Sequence, residues 1–375
     1  MLKPADLLNR THAVGSLYGF VPFTDLAAEK RPSAKAPYPE SLSLEALDER
    51  GRDVAAFLKQ VRDAGFTPSS AAPLFVWHTN ITPGRPVPKE IVIQFHAISS
   101  DRPIADAVLI RAARALMHDL TKADPVVRVN SMGDKETRNR FARELGNFFR
   151  KHDATLPPQC TACAKKDVLA AAHLLLRHEG KETLPSPIDS LSEASRKHFE
   201  ELLEYLEETD TAYELSPTLL TAGQAWTDTC FDLSYGNTEA WGARYHDLAK
   251  AFFKGSASSI GVVIRMKAEN REMVPAAKKR SAARFFFIHI GNEAKRVSIR
   301  MAEEMRKAHL PLAQAIGVES LTEQMHRAET LNPRYLLIMG RKEALEQVVT
   351  LRERDTYNER AIPLASLITE LKQIA

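Results

Sequence analysis

Apolar residues recur at three- and four-residue steps along several stretches of the chain. Leu7, Leu8, Val14 and Leu17 do so over residues 3–20, which predicts an amphipathic helix. Leu47, Val54, Phe57, Leu58 and Val61 predict another over 44–63, and similar spacing predicts helices over 104–118 and Lys135–Lys151. Ala72–Thr79 and Lys89–Ile98 are apolar runs of strand length. The proline-rich segment Asn80–Pro88 between them fits neither element, so the two runs predict a long hairpin. Val126–Asn130, Thr227–Leu233 and Ser259–Met266 predict further strands, while residues 30–43, with Pro32, Pro37 and Pro39, predict a loop. From Pro157 to about Asp210 the pattern is helical and rich in charge, as in Phe199-Glu-Glu-Leu-Leu-Glu-Tyr-Leu-Glu-Glu208, which reads as an inserted helical subdomain.

The pattern changes at residue 285. Phe285–Ile290, Leu312–Ala315, Tyr335–Met339 and Val348–Leu351 read as strands. They alternate with helical patterns at Ala294–Lys307, Leu321–Leu331 and Leu364–Ile374. Such alternation predicts a three-layer α/β unit with a mixed sheet. The expected architecture is therefore α+β. An antiparallel-sheet domain in two parts, 1–155 and 213–275, carries a helical insertion at 156–212 and is followed by an α/β domain at 284–375.

A chain of 375 residues has ample length for two or three domains with buried cores. Its 26% charged and 44% apolar residues describe an ordinary globular protein, and a net charge of +3 is too small to argue for nucleic acid by itself. Three cysteines suit a reducing cytoplasm. No apolar run approaches the ~20 residues needed to span a bilayer, and MLKPADLLNRTH lacks a basic region followed by an apolar core. The expectation is a cytoplasmic protein with no membrane partner and no DNA partner.

Cys160-x-x-Cys163 has the spacing of half a structural zinc site, but such sites want four ligands, and His152, His173 and His178 lack the usual spacing. No metal is expected. Cys230, in mid-strand, reads as a small buried hydrophobe. No nucleophile elbow supports a Ser/His/Asp triad, and Asn292 reads as a helix cap. Basic residues are the remaining lead. Lys278, Lys279, Arg280 and Arg284 form a linker, and Lys295, Arg296, Arg300, Arg306 and Lys307 populate the helix after the first C-terminal strand. Glu293, Glu303 and Glu304 dilute that helix, so it reads either as a solvated face or as phosphate contacts along an RNA stem.

Four blocks share a resemblance. Ser100-Asp-Arg-Pro-Ile-Ala-Asp-Ala-Val108 with Val127-Arg-Val-Asn-Ser-Met-Gly133, Tyr213–Leu220 with Phe231-Asp232, and Gly242-Ala-Arg-Tyr-His246 are similar to the catalytic domain of histidyl-tRNA synthetases. Ser320–Ala328, Leu336–Gly340 and Val348-Val-Thr350 resemble the anticodon-binding domain shared by the histidine, glycine, threonine and proline enzymes. The resemblance implies a class II fold, ATP with Mg in any aminoacylation, a homodimer and tRNA as partner. Leu26 stands where the family's motif 1 proline falls, and Arg85 and Lys89 lie in the hairpin loop that would approach the acceptor end.

Aminoacylation needs cations on the ATP phosphates, because charge develops there in the transition state. Where the family has F-R-x-E, this chain reads Phe75-Val76-Trp77-His78. The L-R-P-E-G-T turn is represented by Leu47-Asp-Glu-Arg-Gly-Arg52, with Arg50 in place of the glutamate. Thr221-Ala-Gly-Gln-Ala-Trp-Thr227 stands for R-G-L-D-Y-Y-T, leaving Trp226 as its aromatic. The G-G-R-Y-D turn supplies Arg244 and Tyr245. Alignment on Gly261 puts Ala268 at the second nucleotide-binding arginine, with Arg265 three residues earlier. Arg50, Val76, His78, Trp226, Arg244, Tyr245 and Arg265 are thus the expected remnant of an ATP and histidine pocket, with no catalytic residue assigned. The expected function is that of a histidyl-tRNA synthetase-like paralogue with degenerate motifs, binding tRNA through its C-terminal domain. Two alternatives stand beside it. One is an active ligase in which Arg265 or Arg50 takes over phosphate contact. The other is a regulatory subunit of the kind that partners ATP phosphoribosyltransferase, which usually lacks the anticodon-binding domain.

Overall fold

The computed structural model describes residues 3–28, 36–178, 184–221, 225–255, 258–268, 272–275 and 283–375. The N-terminal part runs α1 (Pro4–Leu17), β1 (Val21–Pro22), α2 (Phe23–Ala28), α3 (Glu49–Asp63), β2 (Leu74–Thr79), β3 (Glu90–Ile98), α4 (Pro103–Thr121), β4 (Val127–Ser131) and α5 (Lys135–Lys151). Helices α6 (Pro158–Ala164), α7 (Val168–Leu176) and α8 (Glu193–Glu208) follow. The chain then returns through β5 (Tyr213–Leu215), β6 (Thr227–Tyr235), β7 (Thr238–Arg244), α9 (His246–Phe252) and β8 (Ile260–Lys267). The last part is β9 (Phe285–His289), α10 (Asn292–Lys307), β10 (Leu312–Gln314), α11 (Leu321–Leu331), β11 (Tyr335–Met339), α12 (Arg341–Leu345), β12 (Val348–Glu353), β13 (Glu359–Pro363) and α13 (Leu364–Ile374).

Among the described residues, eight strands form one sheet in the order β1-β2-β3-β8-β7-β6-β4-β5. Its inner pairs are antiparallel, and β1 and β5 join the edges in parallel. Strand alternation puts Ile260, Val262, Ile264 and Met266 into a core shared with α1, α4 and α8. The other face meets α3, α5, α7 and α9 through Val54, Phe57, Val76, Trp241 and Leu248. Helix starts follow local chemistry. Asp48 caps α3 by accepting from Gly51 N at 2.8 Å, and Asp134 caps α5 by accepting from Thr137 N at 2.9 Å.

The second sheet has the order β10-β9-β11-β12-β13, parallel across its first three strands and antiparallel beyond. It docks closely on the first domain. Phe285, Ile299, Leu312 and Ile316 share one apolar core with Leu7, Leu17 and Tyr18. Tyr18 Oη donates to Glu303 at 3.1 Å, and Gln314 Nε2 donates to the Leu17 carbonyl. A Cβ at Gly317 would overlap the Phe75 ring, so only glycine allows this approach. The C-terminal domain therefore covers one side of α1.

Three local expectations change. The turn expected at Gly242–His246 lies largely within strand β7. Gly242 sits there because a Cβ would collide with the Phe231 ring across the ladder. Strand β13 was not predicted. Gly291, at φ +90°, holds the cap position of α10, while Asn292 is its first helical residue and accepts from Arg102 at 2.5 Å.

Candidate functional site on the sheet face

Six of the seven expected pocket residues belong to one side of the large sheet. Val76 is fully buried there, and α3 lies across the face. The Phe57 ring stacks on His96 at 4.5 Å and on His78 at 5.4 Å, and Phe23 packs edge-on against Phe57 at 5.3 Å. His96 hydrogen-bonds Tyr245 Oη at Nδ1 (2.8 Å) and Gln94 Oε1 at Nε2 (3.0 Å). Burial pushes the His96 imidazole down to about 3, so the ring is neutral, and burial pushes the Tyr245 phenol far up. Burial lowers His78 as well. Trp226 packs edge-on against Trp241 at 4.7 Å. This face is buried and aromatic.

The cations stand at its outer end. Arg265 donates to Glu49 at 2.6 Å and to Asp53, with Glu90 at 3.9 Å. Burial would lower its pKa, but these carboxylates outweigh that and raise it. Arg50 lies 4.5 Å over the Trp241 ring, its pKa lowered by burial. Beside Arg265, a cavity of about 280 Å³ is lined by Glu90, Thr238, Glu239 and Lys267. Ala268, where the second nucleotide-binding arginine would stand, continues the strand pairing by donating to the Lys89 carbonyl at 2.9 Å. Its side chain packs against the opposite core. Thr221 is buried, and residues 222–224 lie outside the described residues.

Arg244 faces the other way. Its guanidinium donates from Nε to Asp106 Oδ1 at 2.9 Å and from Nη2 to Asp106 Oδ2. It also reaches the carbonyls of Ser100 (3.0 Å) and Arg102 (3.1 Å). Burial would raise the Asp106 carboxyl, but Arg244 and His198 hold it far below the usual range. A second polar cluster adjoins it: Ser258 Oγ lies 2.7 Å from His246 Nδ1, His246 Nε2 lies 3.2 Å from Asp228, and Ser195 Oγ donates to Asp228 at 2.9 Å. These groups tie β6, β7, α8 and α9 together. Sequence reasoning missed the roles of Asp106 and Asp228, whose partners lie 138 and 18 residues away, and no local pattern marks them.

Among the described residues, no group of three His, Cys, Asp or Glu side chains is placed to hold a metal. Cys160 is buried in α6 with its thiol raised by burial, and Cys163 is half-buried. Among the same residues, no helix is long and apolar enough to cross a membrane.

Lys278, Lys279 and Arg280 lie outside the described residues. Of the other basic residues on α10, Lys295, Arg296 and Arg306 pair with carboxylates, while Lys307 is exposed. Lys295 is 2% exposed and pairs with Glu319, burial lowering its pKa despite that partner. Arg296 pairs with Glu208 on α8 and lies 4.5 Å over the Tyr205 ring, while Arg306 pairs with Asp119 on α4. Arg300 is half-buried, its guanidinium 3.5 Å from Gln347.

Residues 284–374 match the family model described as an anticodon binding domain. The chain is 25% identical over 298 residues to a histidine--tRNA ligase of Fervidobacterium nodosum, covering 75% of this chain and 70% of that one. It is 26% identical over 300 residues to the same enzyme of a Geobacillus strain, again covering 75% and 70%. Among solved structures, apo histidyl-tRNA synthetase of S. aureus aligns over 97% of this chain and 94% of that chain, with 17% identity and a TM-score of 0.47. An ATP phosphoribosyl transferase complex of Thermotoga maritima aligns over 70% of this chain and 97% of that chain, with 13% identity and a TM-score of 0.40. The C-terminal part thus matches an anticodon binding domain, and the chain is similar to histidine--tRNA ligases across three quarters of its length.

Proposed function

We propose that this chain binds tRNA through its C-terminal domain and does not activate histidine. The observation that carries the second half is the closed sheet face. Val76 is buried on the same sheet face as His78 and His96, which Phe57 of α3 covers, with no cation among these residues to meet a triphosphate. Transition-state charge on a departing pyrophosphate needs preorganised cations. Arg265 is committed to Glu49 and Asp53 at the rim, and Ala268 belongs to the opposite core. These residues do not fit ATP with Mg.

The tRNA half is supported by the anticodon binding domain match over 284–374. It is tested by electrophoretic mobility shift of total tRNA with the whole chain. A truncation near Met273 is unsuitable, because the shared core would leave Leu17, Tyr18 and Phe75 exposed. A salt-sensitive shift is expected. Absence of any shift, with recovery of an ATP phosphoribosyltransferase from a pull-down, would overturn this reading in favour of the regulatory-subunit alternative. A homodimer, if formed, uses surfaces other than the side of α1 that the C-terminal domain covers.

A further inference from the structure

A cavity of about 380 Å³ opens on the α1 and α4 side of the large sheet, the side away from the Phe57 layer. Leu7, Val87, Ile91 and Met266 form its apolar lining, each at most 6% exposed. The Tyr235 ring, at the end of β6, also lines it and is 52% exposed. This volume lies near the lower end of the range for small-molecule pockets, roughly 300–1,000 Å³.

Two opposite charges line the same space. Lys3 stands just before α1, and Glu272 is held by Val87 N, which donates to the Glu272 carbonyl at 3.0 Å. Both side chains are exposed, and neither has an ion pair or side-chain hydrogen bond among the described residues. Thr238, the first residue of β7, lines the cavity at 5% exposure and likewise has no side-chain hydrogen bond among them. Buried hydroxyls are normally paired, so this one is available to an occupant. The other charged cavities differ. There Arg265, Arg306 and Arg327 are already matched by carboxylates of this chain.

We propose that this cavity binds a small apolar zwitterion, either a free apolar amino acid or a dipeptide. Its carboxylate meets Lys3, its ammonium meets Glu272, and its side chain covers Leu7, Ile91 and Met266. Apolar lining supplies the drive, and the two unpaired charges fix the orientation. A ligand with one charge would leave the other protein charge unmatched, so the pair selects for a molecule carrying both. Val76, His78 and His96 lie on the opposite side of the sheet. The assignment therefore stands apart from the reading of that face and from tRNA binding.

The test is isothermal titration calorimetry of the full chain with leucine, phenylalanine and the dipeptide leucyl-leucine. At least one should bind saturably, with a Kd of about 1 mM or below. The tighter of leucine and leucyl-leucine names the source. N-acetylleucine lacks the ammonium and leucinamide lacks the carboxylate, so each should bind about tenfold or more weakly than leucine. Lys3→Gln should weaken leucine by a similar factor yet leave leucinamide unchanged, and Glu272→Gln should do the same for leucine and N-acetylleucine. Both side chains are exposed, so these variants should melt with wild type. Absence of saturable binding by all three probes would overturn the proposal. Capped forms that bind as tightly as leucine would overturn it too, because the charges would not be read. A dimer in sedimentation that Tyr235→Asp abolishes would show that a second copy covers the cavity, and the small-ligand assignment would fall.

Discussion

The Phe57 ring lies parallel to His96, 4.5 Å away with the planes 18° apart, and that contact closes the central face of the large sheet. His96 can sit in an apolar layer because Gln94 and Tyr245 satisfy both ring nitrogens. A face built this way is a core. The energetics of a core govern what substitutions there will do.

Phe57→Ala removes a fully packed ring between Phe23, His78 and His96. The expected cost is about 3–5 kcal/mol, from lost transfer energy and the cavity left behind. Urea unfolding of the two proteins measures it. A loss below about 1 kcal/mol would mean that α3 does not seal the face as described.

Val76→Arg restores the residue type that the histidyl-tRNA synthetase resemblance places at this position. In an enzyme with an open pocket the change would favour activity. Here the guanidinium would enter a buried layer whose neighbours Phe57, His78 and His96 carry no carboxylate, so the variant is expected to lose its cooperative thermal transition or melt far below wild type. A stably folded variant that gained histidine-dependent ATP–pyrophosphate exchange would show instead that the face opens to ligand.

The buried pair of Arg244 with Asp106 ties β7 to the first turn of α4. Removing one partner strands the other charge, so Arg244→Ala should cost about 3–5 kcal/mol in denaturant unfolding. Replacing both partners, Arg244→Met with Asp106→Leu, should recover a large part of that loss, because it removes both desolvation penalties. Equal destabilisation by the single and double variants would contradict this account of the pair.

Burial holds both His96 and His289 at about 3 in the folded protein, against about 6.5 in the unfolded chain. Between those values the unfolded chain binds protons that the folded one excludes. Stability is therefore full above about pH 6.5 and falls as pH falls, by on the order of 1–2 kcal/mol per histidine between pH 7 and pH 5. Asp106 and Asp228, also depressed in the fold, extend the loss below about pH 4 with the same sign. Urea midpoints at pH 7 and pH 5 test this, with His96→Gln reducing the difference. Identical midpoints at the two pH values would contradict it.

Much of the fold is legible in the sequence where one signal dominates. The spans of α5, α11, β11 and α13 match the expected residues because an amphipathic stripe or a strand-length apolar run fixes them locally. Strand β7 was hidden because glycine in mid-strand reads as a turn until the Phe231 ring opposite Gly242 is known. The inward turn of Lys295 and Arg296 was hidden for a related reason. A charge-rich helix face looks solvated, and Glu319 and Glu208 lie 24 and 88 residues away in sequence. At the candidate site, the replacement of arginine by Val76 is visible in the chain. That α3 fills the space above it depends on Phe57 meeting His78 and His96 across the sheet, which local spacing does not encode.

The central claim is that this synthetase-like face has become a closed core. Histidine-dependent ATP–pyrophosphate exchange by the full-length protein tests it most directly, because the assay reads adenylate formation without requiring the correct tRNA. The account predicts no exchange above a histidine-free control under conditions where the protein shifts total tRNA. Robust exchange that depends on histidine and is abolished by Arg265→Ala would contradict it, and would restore Arg265 as a phosphate-binding cation of a working active site.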